Sequence, residues 1–131
     1  MKRPRVGIGC VVRRGTDLLL VRRQGTHGEG TWSTPGGNLE LGEEPSSCAA
    51  REAEEETGVR VGPVRFVGVT NDVFDEQRHY VTLWFEAEYA AGDACVRASD
   101  EISELAWFDE QSLPEPLFRP FRSLLDGRAQ R

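Results

Sequence analysis

Lysine is almost missing from this chain of 131 residues: Lys2 is the only one, so arginine carries nearly all the positive charge. Positive charge as a whole is in deficit, with 16 Lys and Arg against 22 Asp and Glu and a formal net charge of −6. That balance excludes a general polyanion-binding domain, which carries a net basic face, and leaves room for a locally basic site that takes a small anion. Cysteine is scarce too. Cys10, Cys48 and Cys95 are far apart, odd in number and form no C-x-x-C, which argues against a disulfide framework or a zinc cage. They are expected to be free thiols in a reducing compartment. No apolar run approaches the roughly 18 residues that a membrane-spanning helix needs. The basic stretch Met1–Arg5 leads into a short alternating run, not into a signal-peptide core. Repeats, low-complexity segments and linkers are all missing. The expectation is one cytoplasmic domain over residues 1–131, large enough to bury a core unaided, with neither nucleic acid nor membrane as partner.

What the chain does contain is an ordered succession of strand and helix patterns. VGIGCVVR, 6–13, alternates, with Val6, Ile8, Cys10 and Val12 on one face; Gly7 and Gly9 leave the other face low, open to close approach. RGTD reads as a turn and LLLVRR, 18–23, as a second strand. GTHGEGT, 25–31, is a glycine-rich loop, and NLEL, 38–41, has the composition of a short strand. A helix is expected to begin at GEEPSS with Pro45 in its first turn, run through CAAREAEEET, and stop at Gly58. The stretch 59–74 is β-rich and broken at Gly62-Pro63. HYVTLWFEAEY, 79–89, places Tyr80, Thr82, Trp84, Glu86 and Glu88 on one side and Val81, Leu83, Phe85 and Ala87 on the other. AAGDA is a turn and ELAWF, 104–108, a further strand. LFRPFRSLLDG is a final amphipathic helix with Leu117, Phe118, Phe121, Leu124 and Leu125 as its apolar face, and Pro120 in its first turn or at a kink. Strands, one central helix, more strands and a terminal helix make an α/β layered domain with a mixed sheet.

The central helix carries REAEEETG, 51–58, and like charges three and four positions apart on a helix repel. At 100° per residue from Arg51, Glu55 falls near ~40°, Glu52 near ~100° and Glu56 near ~140°, whereas Glu54 falls near ~300°. Three glutamates therefore share one arc with no cation at i+4 to relieve them, their only local cation being Arg51, one turn before Glu55, and the fourth faces elsewhere. A solvated acidic face is one reading. The other is a hard-oxygen cluster, completed by a backbone carbonyl from the neighbouring PGG turn, of the kind that suits Mg²⁺ or Mn²⁺. A divalent cation there would take its remaining ligands from substrate phosphates and water, polarise phosphoryl oxygens and lower the pKa of a bound water.

Gly37, Glu43 and the run Arg51-Glu52-Ala53-Glu54-Glu55-Glu56-Thr57-Gly58-Val59 stand at the spacing G-x5-E-x7-R-E-U-x-E-E-x-G-U, where U is a bulky or aliphatic residue. On these residues the chain resembles the Nudix hydrolases, and the strand–helix order extends the resemblance over nearly its whole length. The resemblance implies an α/β/α sandwich around a central mixed β-sheet and hydrolysis of a nucleoside diphosphate linked to another group. It implies Glu52, Glu55 and Glu56 as metal ligands with the carbonyl of Gly36, Mg²⁺ or Mn²⁺ as cofactor, and Glu52 as a candidate base. Arg51 would orient the carboxylates, completing the catalytic group, and Glu43 would support the loop–helix junction. Within the family the chain is most similar to small MutT-like nucleoside triphosphate diphosphatases, which release a monophosphate and pyrophosphate. TPGGNLELGE, CAARE, TNDVF, HYV and LPEPLF resemble a plant and animal cytosolic-type branch of that group. Before its WF pair that branch has a Glu-Pro-Glu-rich segment where this chain has ASDEISELAWF, so the late metal-assisting carboxylate falls to Asp100 or Glu101, with Glu101 entered in the metal set.

By the same resemblance an arginine at the end of the second strand meets substrate phosphates; alternation lets only one of Arg22 and Arg23 face the site, and position favours Arg23. His27 and His79 are candidate substrate contacts, against readings as a loop histidine and an edge residue. Trp107 stands where similar enzymes place an aromatic near the base, and Phe118 could close the same pocket; core packing is the competing reading of both. Partners follow: a small-molecule nucleotide, and a second copy of the chain, since homodimers occur among similar proteins. The substrate expectation is a normal or oxidised (deoxy)nucleoside triphosphate, as in nucleotide-pool sanitation. The alternatives are a nucleotide sugar or dinucleotide, and a noncatalytic nucleotide sensor. No proline lies between Pro63 and Pro114, and the SQPWPFP array is absent. Those absences weigh against ADP-ribose and NADH hydrolases respectively.

Overall fold

The computed structural model describes residues 2–129, the side chains of Arg128 and Ala129 excepted. Its centre is a parallel pair, β1 (Arg5–Arg14) against β7 (Arg78–Ala91), in register from Arg5↔Tyr80 to Arg13↔Glu88. Antiparallel strands extend the sheet on both sides. β2 (Asp17–Arg23) and β4 (Gly36–Asn38) pair with β1, and β3 (Trp32–Ser33) and β8 (Ile102–Asp109) pair with β2. β5 (Arg60–Val61) and β6 (Arg65–Asp75) pair with β7. The sheet is therefore mixed.

Strand alternation feeds two cores. Ile8, Cys10 and Val12 of β1 and Phe85 and Ala87 of β7 pack under α1 (Pro45–Thr57) through Cys48, Ala49 and Ala53. Val11, Leu18, Leu20 and Trp84 point the other way, against Phe121 and Leu124 of α2 (Arg119–Ala129). The result is the α/β/α sandwich that the sequence pattern and the resemblance imply. The low face of β1 is used as well: a side chain on Gly9 would stand 2.4 Å from the Trp84 ring, which fills that space.

α1 starts and stops where its sequence directs. Pro45 occupies the first turn after Glu44, and Gly58, at φ 77°, turns left-handed and donates its N–H to the Glu54 carbonyl at 2.8 Å. Two local expectations need correction. NLEL is not a strand: pairing with β1 begins at Gly36 and ends at Asn38, because the glycines let β4 lie flat on Gly7–Gly9. The last helix begins at Arg119, with Pro120 in its first turn, so Leu117 and Phe118 precede it and Leu117 bridges to Trp32. Glu86, on an alternating strand, is 5% exposed and held by Arg13 and Arg65. Among the described residues no helix is long and apolar enough to cross a membrane.

Candidate active site

A cleft of about 730 Å³ opens where β4, the inner side of α1, the loop after β2 and the β6–β7 pair come together. Its acidic end is made by Glu52 and Glu56, with Asp100 and Glu101 opposite them on the turn that enters β8. Glycine makes the close approach possible. A side chain at Gly37 would stand 2.6 Å from the Glu52 carboxyl carbon, and one at Gly36 would strike the Ile8 carbonyl at 2.2 Å. The Gly36 N–H donates to Glu56 Oε1 at 2.8 Å.

Burial dominates the electrostatics of this end. It pushes the Glu56 carboxyl up to about 8, with the charges of Glu52 and Glu101 adding to the rise. It pushes Glu52 up to about 7; Arg51 opposes the rise, and Glu55 and Glu101 reinforce it. Two buried carboxylates that resist ionisation beside two further acids are a poor arrangement for a core and a good one for a hard cation.

The glutamates of the helix do not all face the cleft. Glu54 is exposed, as its angle predicts. Glu55 also stays outside, its side chain 58% exposed and its Oε2 3.0 Å from Arg51 Nη1. Among the described residues no three Asp, Glu, His or Cys side chains stand as a preassembled metal cage. Arg51 joins the two groups. Its Nε and Nη2 donate to Glu43 at 2.7 and 3.0 Å, and its Nη1 lies 3.0 Å from both Glu52 and Glu55. The same hydrogen bonds hold the Glu43 carboxyl down to about 2.

The other end of the cleft is aromatic. His27 stacks on Tyr80 at 5.0 Å and 28°, and Phe74 stacks on Phe118 at 5.9 Å and 16°. Phe74 and His27 close the group at 4.6 Å. Arg23 lies between the two ends. Its guanidinium sits 3.9 Å over the Phe118 ring and donates to the His27 carbonyl from Nε and Nη2. Burial lowers its pKa, and the charge of Glu56 works against that. Arg22, one residue away, points out of the cleft, bonding the Gly30 carbonyl and facing Glu104. His27 is pushed down to about 4, first by burial and then by Arg23 and Arg78, so its ring is neutral at pH 7.

Two candidates stand elsewhere. His79 does not line the cleft; its Nε2 lies 2.6 Å from Asn71 Oδ1 across the β6–β7 pair, because its strand position points it away from Tyr80 and Thr82. Trp107 pairs with Leu19, four residues back from Arg23 along β2, or roughly 14 Å at strand rise. There it meets Tyr89 edge-on and carries Arg14 over its face at 4.0 Å. The cleft's aromatics Phe74 and Tyr80 were not singled out from sequence. Tyr80 was legible as a neighbour of Thr82 and Trp84 on one strand face, but no spacing shows that the 25–31 loop folds over it.

The NUDIX domain model matches residues 3–126. The chain is 38% identical over 104 residues to the NAD-capped RNA hydrolase NudC of Pseudomonas aeruginosa, an alignment covering 79% of this chain and 36% of that protein. It is 37% identical over 107 residues to a MutT-like protein of Streptomyces ambofaciens, covering 82% of this chain and 64% of the relative. The chain thus spans about a third of the NudC-type relatives it matches. The crystal structure of a MutT NUDIX hydrolase from Burkholderia pseudomallei superposes with a TM-score of 0.89 at 29% identity, over 95% of this chain and 98% of that one. All three relatives are bacterial, and none supports the plant and animal branch suggested by TNDVF, HYV and LPEPLF.

Proposed function

The chain belongs to the Nudix family, and on that premise we propose that it hydrolyses a phosphoanhydride bond of a nucleotide, taking nucleoside triphosphates to a monophosphate and pyrophosphate. The observation that carries this reading is the polarity of the cleft. Buried carboxylates stand at one end, stacked rings at the other, and one half-buried arginine lies between them. A nucleotide has the same order: phosphates, then sugar, then base.

The donor set fits a hard divalent cation, since Glu52 and Glu56 are buried carboxyls that resist ionisation and that a cation would hold in the charged form. Glu52 and Glu56 would hold Mg²⁺ or Mn²⁺ with the Gly36 carbonyl, and Glu55 and Glu101 complete the acidic surround. Such a cation supplies Lewis-acid polarisation of the phosphoryl oxygens and lowers the pKa of bound water. The side chains do the rest. Arg23 meets a phosphate oxygen with its two-pronged donor face. The ring group of Phe74, Tyr80, Phe118 and neutral His27 stacks against the base. Glu52 accepts the proton of the attacking water, and Arg51 keeps that carboxylate turned inward. Attack of water at the innermost phosphorus forms one P–O bond and breaks the adjoining anhydride bond, with the leaving pyrophosphate carrying the electron pair.

A second reading has an observation in its favour. Several relatives 36–38% identical are NAD-capped RNA hydrolases, so the same site would split a dinucleotide pyrophosphate into two monophosphates. Comparing kcat/KM for normal and oxidised nucleoside triphosphates with that for NAD and NAD-capped RNA decides between the two. Preference for the triphosphates supports the first reading. Turnover of the dinucleotide compounds alone supports the second.

A further inference from the structure

Asp100 and Glu101 stand on a mostly exposed segment, without helix or strand, between the end of β7 at Ala91 and the start of β8 at Ile102. Hydrogen bonds at both ends hold this segment across the cleft from α1. At one end the Cys95 and Arg97 N–H groups donate to the Thr57 and Glu56 carbonyls, both at 2.9 Å. At the other end stands Gln24, the residue after β2. Its backbone N–H donates to the Glu101 carbonyl at 2.9 Å, and its Nε2 donates to the Ser99 carbonyl at 2.7 Å. The turn between these ties closes on itself, with the Glu101 and Ile102 N–H groups both on the Ala98 carbonyl at 2.9 Å. Gly25 lets the turn come close: a side chain there would stand 2.9 Å from the Asp100 carbonyl.

Backbone bonds form with most side chains. The bond from Gln24 Nε2 is different: among the described residues it is the side-chain hydrogen bond that fastens residues 95–101 to the rest of the chain. It lands two residues before Glu101, whose carbonyl the same residue holds, so two points of the turn are fixed from one place. Arg23, its neighbour, turns into the cleft over Phe118. We infer that Gln24 is a positioning residue of the acidic end, holding the 98–101 turn where Glu101 closes the cation site from the side opposite Glu52 and Glu56. The inference rests on reading that end as a cation site. No three acidic side chains form a ready cage there among the described residues, so the reach of the turn decides how many carboxylates a cation meets. A donor that pins the turn from the end of β2 therefore sets cation affinity without touching the cation.

The test reads binding, not turnover: Mn²⁺ is titrated calorimetrically into the full chain without nucleotide. Gln24→Met keeps the length of the side chain and removes the donor, and Gln24→Asn keeps the amide but falls short by one carbon. Each should weaken Mn²⁺ binding about tenfold, the lower end of the loss when a group that orients a ligand is removed, and so should Glu101→Gln. The double variant Gln24→Met/Glu101→Gln should bind no more weakly than Glu101→Gln, because one residue acts through the other. Cooperative melting in EDTA shows that the variants are folded. Wild-type Mn²⁺ affinity in both Gln24 variants, or in Glu101→Gln, overturns the inference. So does a double variant in which the two losses multiply, since Gln24 would then act on its own. Where the wild type binds Mn²⁺ and hydrolyses nucleotides, these results remove the role of Gln24 alone. A wild type with no Mn²⁺ site removes the reading of the acidic end together with it.

Discussion

Arg51 grips Glu43 with two parallel hydrogen bonds, 2.7 and 3.0 Å long, and the same guanidinium lies 3.0 Å from both Glu52 and Glu55. One side chain therefore joins the loop before α1 to the two glutamates on either side of the cleft's rim. Lysine would keep the charge and lose the fork. Arg51→Lys should raise the Mg²⁺ concentration needed for half-maximal turnover by roughly 10- to 100-fold, the usual cost of removing a group that orients ligands. Mg²⁺ titration of initial rates, with thermal unfolding as a control for folding, reads this; an unchanged Mg²⁺ requirement would show that Arg51 only caps the loop.

The two inward glutamates make stability depend on pH in a defined direction. Their folded-state pKa values are raised, from 4.5 to about 7 for Glu52 and to about 8 for Glu56. A raised carboxyl contributes stability that is full below the unfolded value and is lost as pH rises through the folded one. In EDTA the protein should therefore lose stability between about pH 4.5 and pH 8, and Mg²⁺ should restore it at the alkaline end. Glu56→Gln keeps an oxygen for the Gly36 N–H and removes the charge, so it should flatten the loss. Urea unfolding at pH 5.5 and 8.5 checks this; a variant as pH-sensitive as the wild type would place the effect elsewhere.

Strand alternation gives a paired prediction. Arg23 lies over Phe118 inside the cleft, and Arg22 faces Glu104 outside it. Arg23→Gln should raise KM about tenfold or more, as expected when a charged hydrogen bond to phosphate is lost, while Arg22→Gln leaves it within about twofold. Equal effects from both would mean that the loop, not the phosphate, is what Arg23 serves.

The ring group predicts where affinity for the base resides. Phe74 is half-buried and touches both His27 and Phe118. Phe74→Ala should raise KM about tenfold, in line with the stacking energy of one base, with kcat far less affected. Trp107→Phe, beside Leu19 and away from the cleft along the strands, should leave KM unchanged and lower the melting temperature. The opposite pattern would return Trp107 to the site.

The misplaced residues show what sequence could and could not convey. The helix, its proline entry and its glycine exit were legible because each is a local backbone requirement. The layering was legible because β1 and β7 alternate, and alternation reports on both faces. Trp107 misled because its strand face was readable but its height along β8 was not, and that height places it beside Leu19 and not beside Arg23. Phe74 and Tyr80 were invisible as a pair because they meet only through the β6–β7 pairing and under the loop that carries His27. Glu55 has the right helical angle, and its carboxylate stands outside the cleft, 3.0 Å from the Arg51 guanidinium one turn before it.

The central claim is that the Glu52–Glu56 end of the cleft drives hydrolysis of a nucleotide phosphoanhydride. Phosphorus NMR of the products, with wild type and Glu56→Gln side by side in Mg²⁺, tests it most directly. The expected result is a nucleoside monophosphate in every productive reaction. It is accompanied by pyrophosphate from a triphosphate or by a second monophosphate from a dinucleotide, with Glu56→Gln slower by a factor of about 10² or more. Release of orthophosphate alone, or wild-type rates from Glu56→Gln, would contradict it.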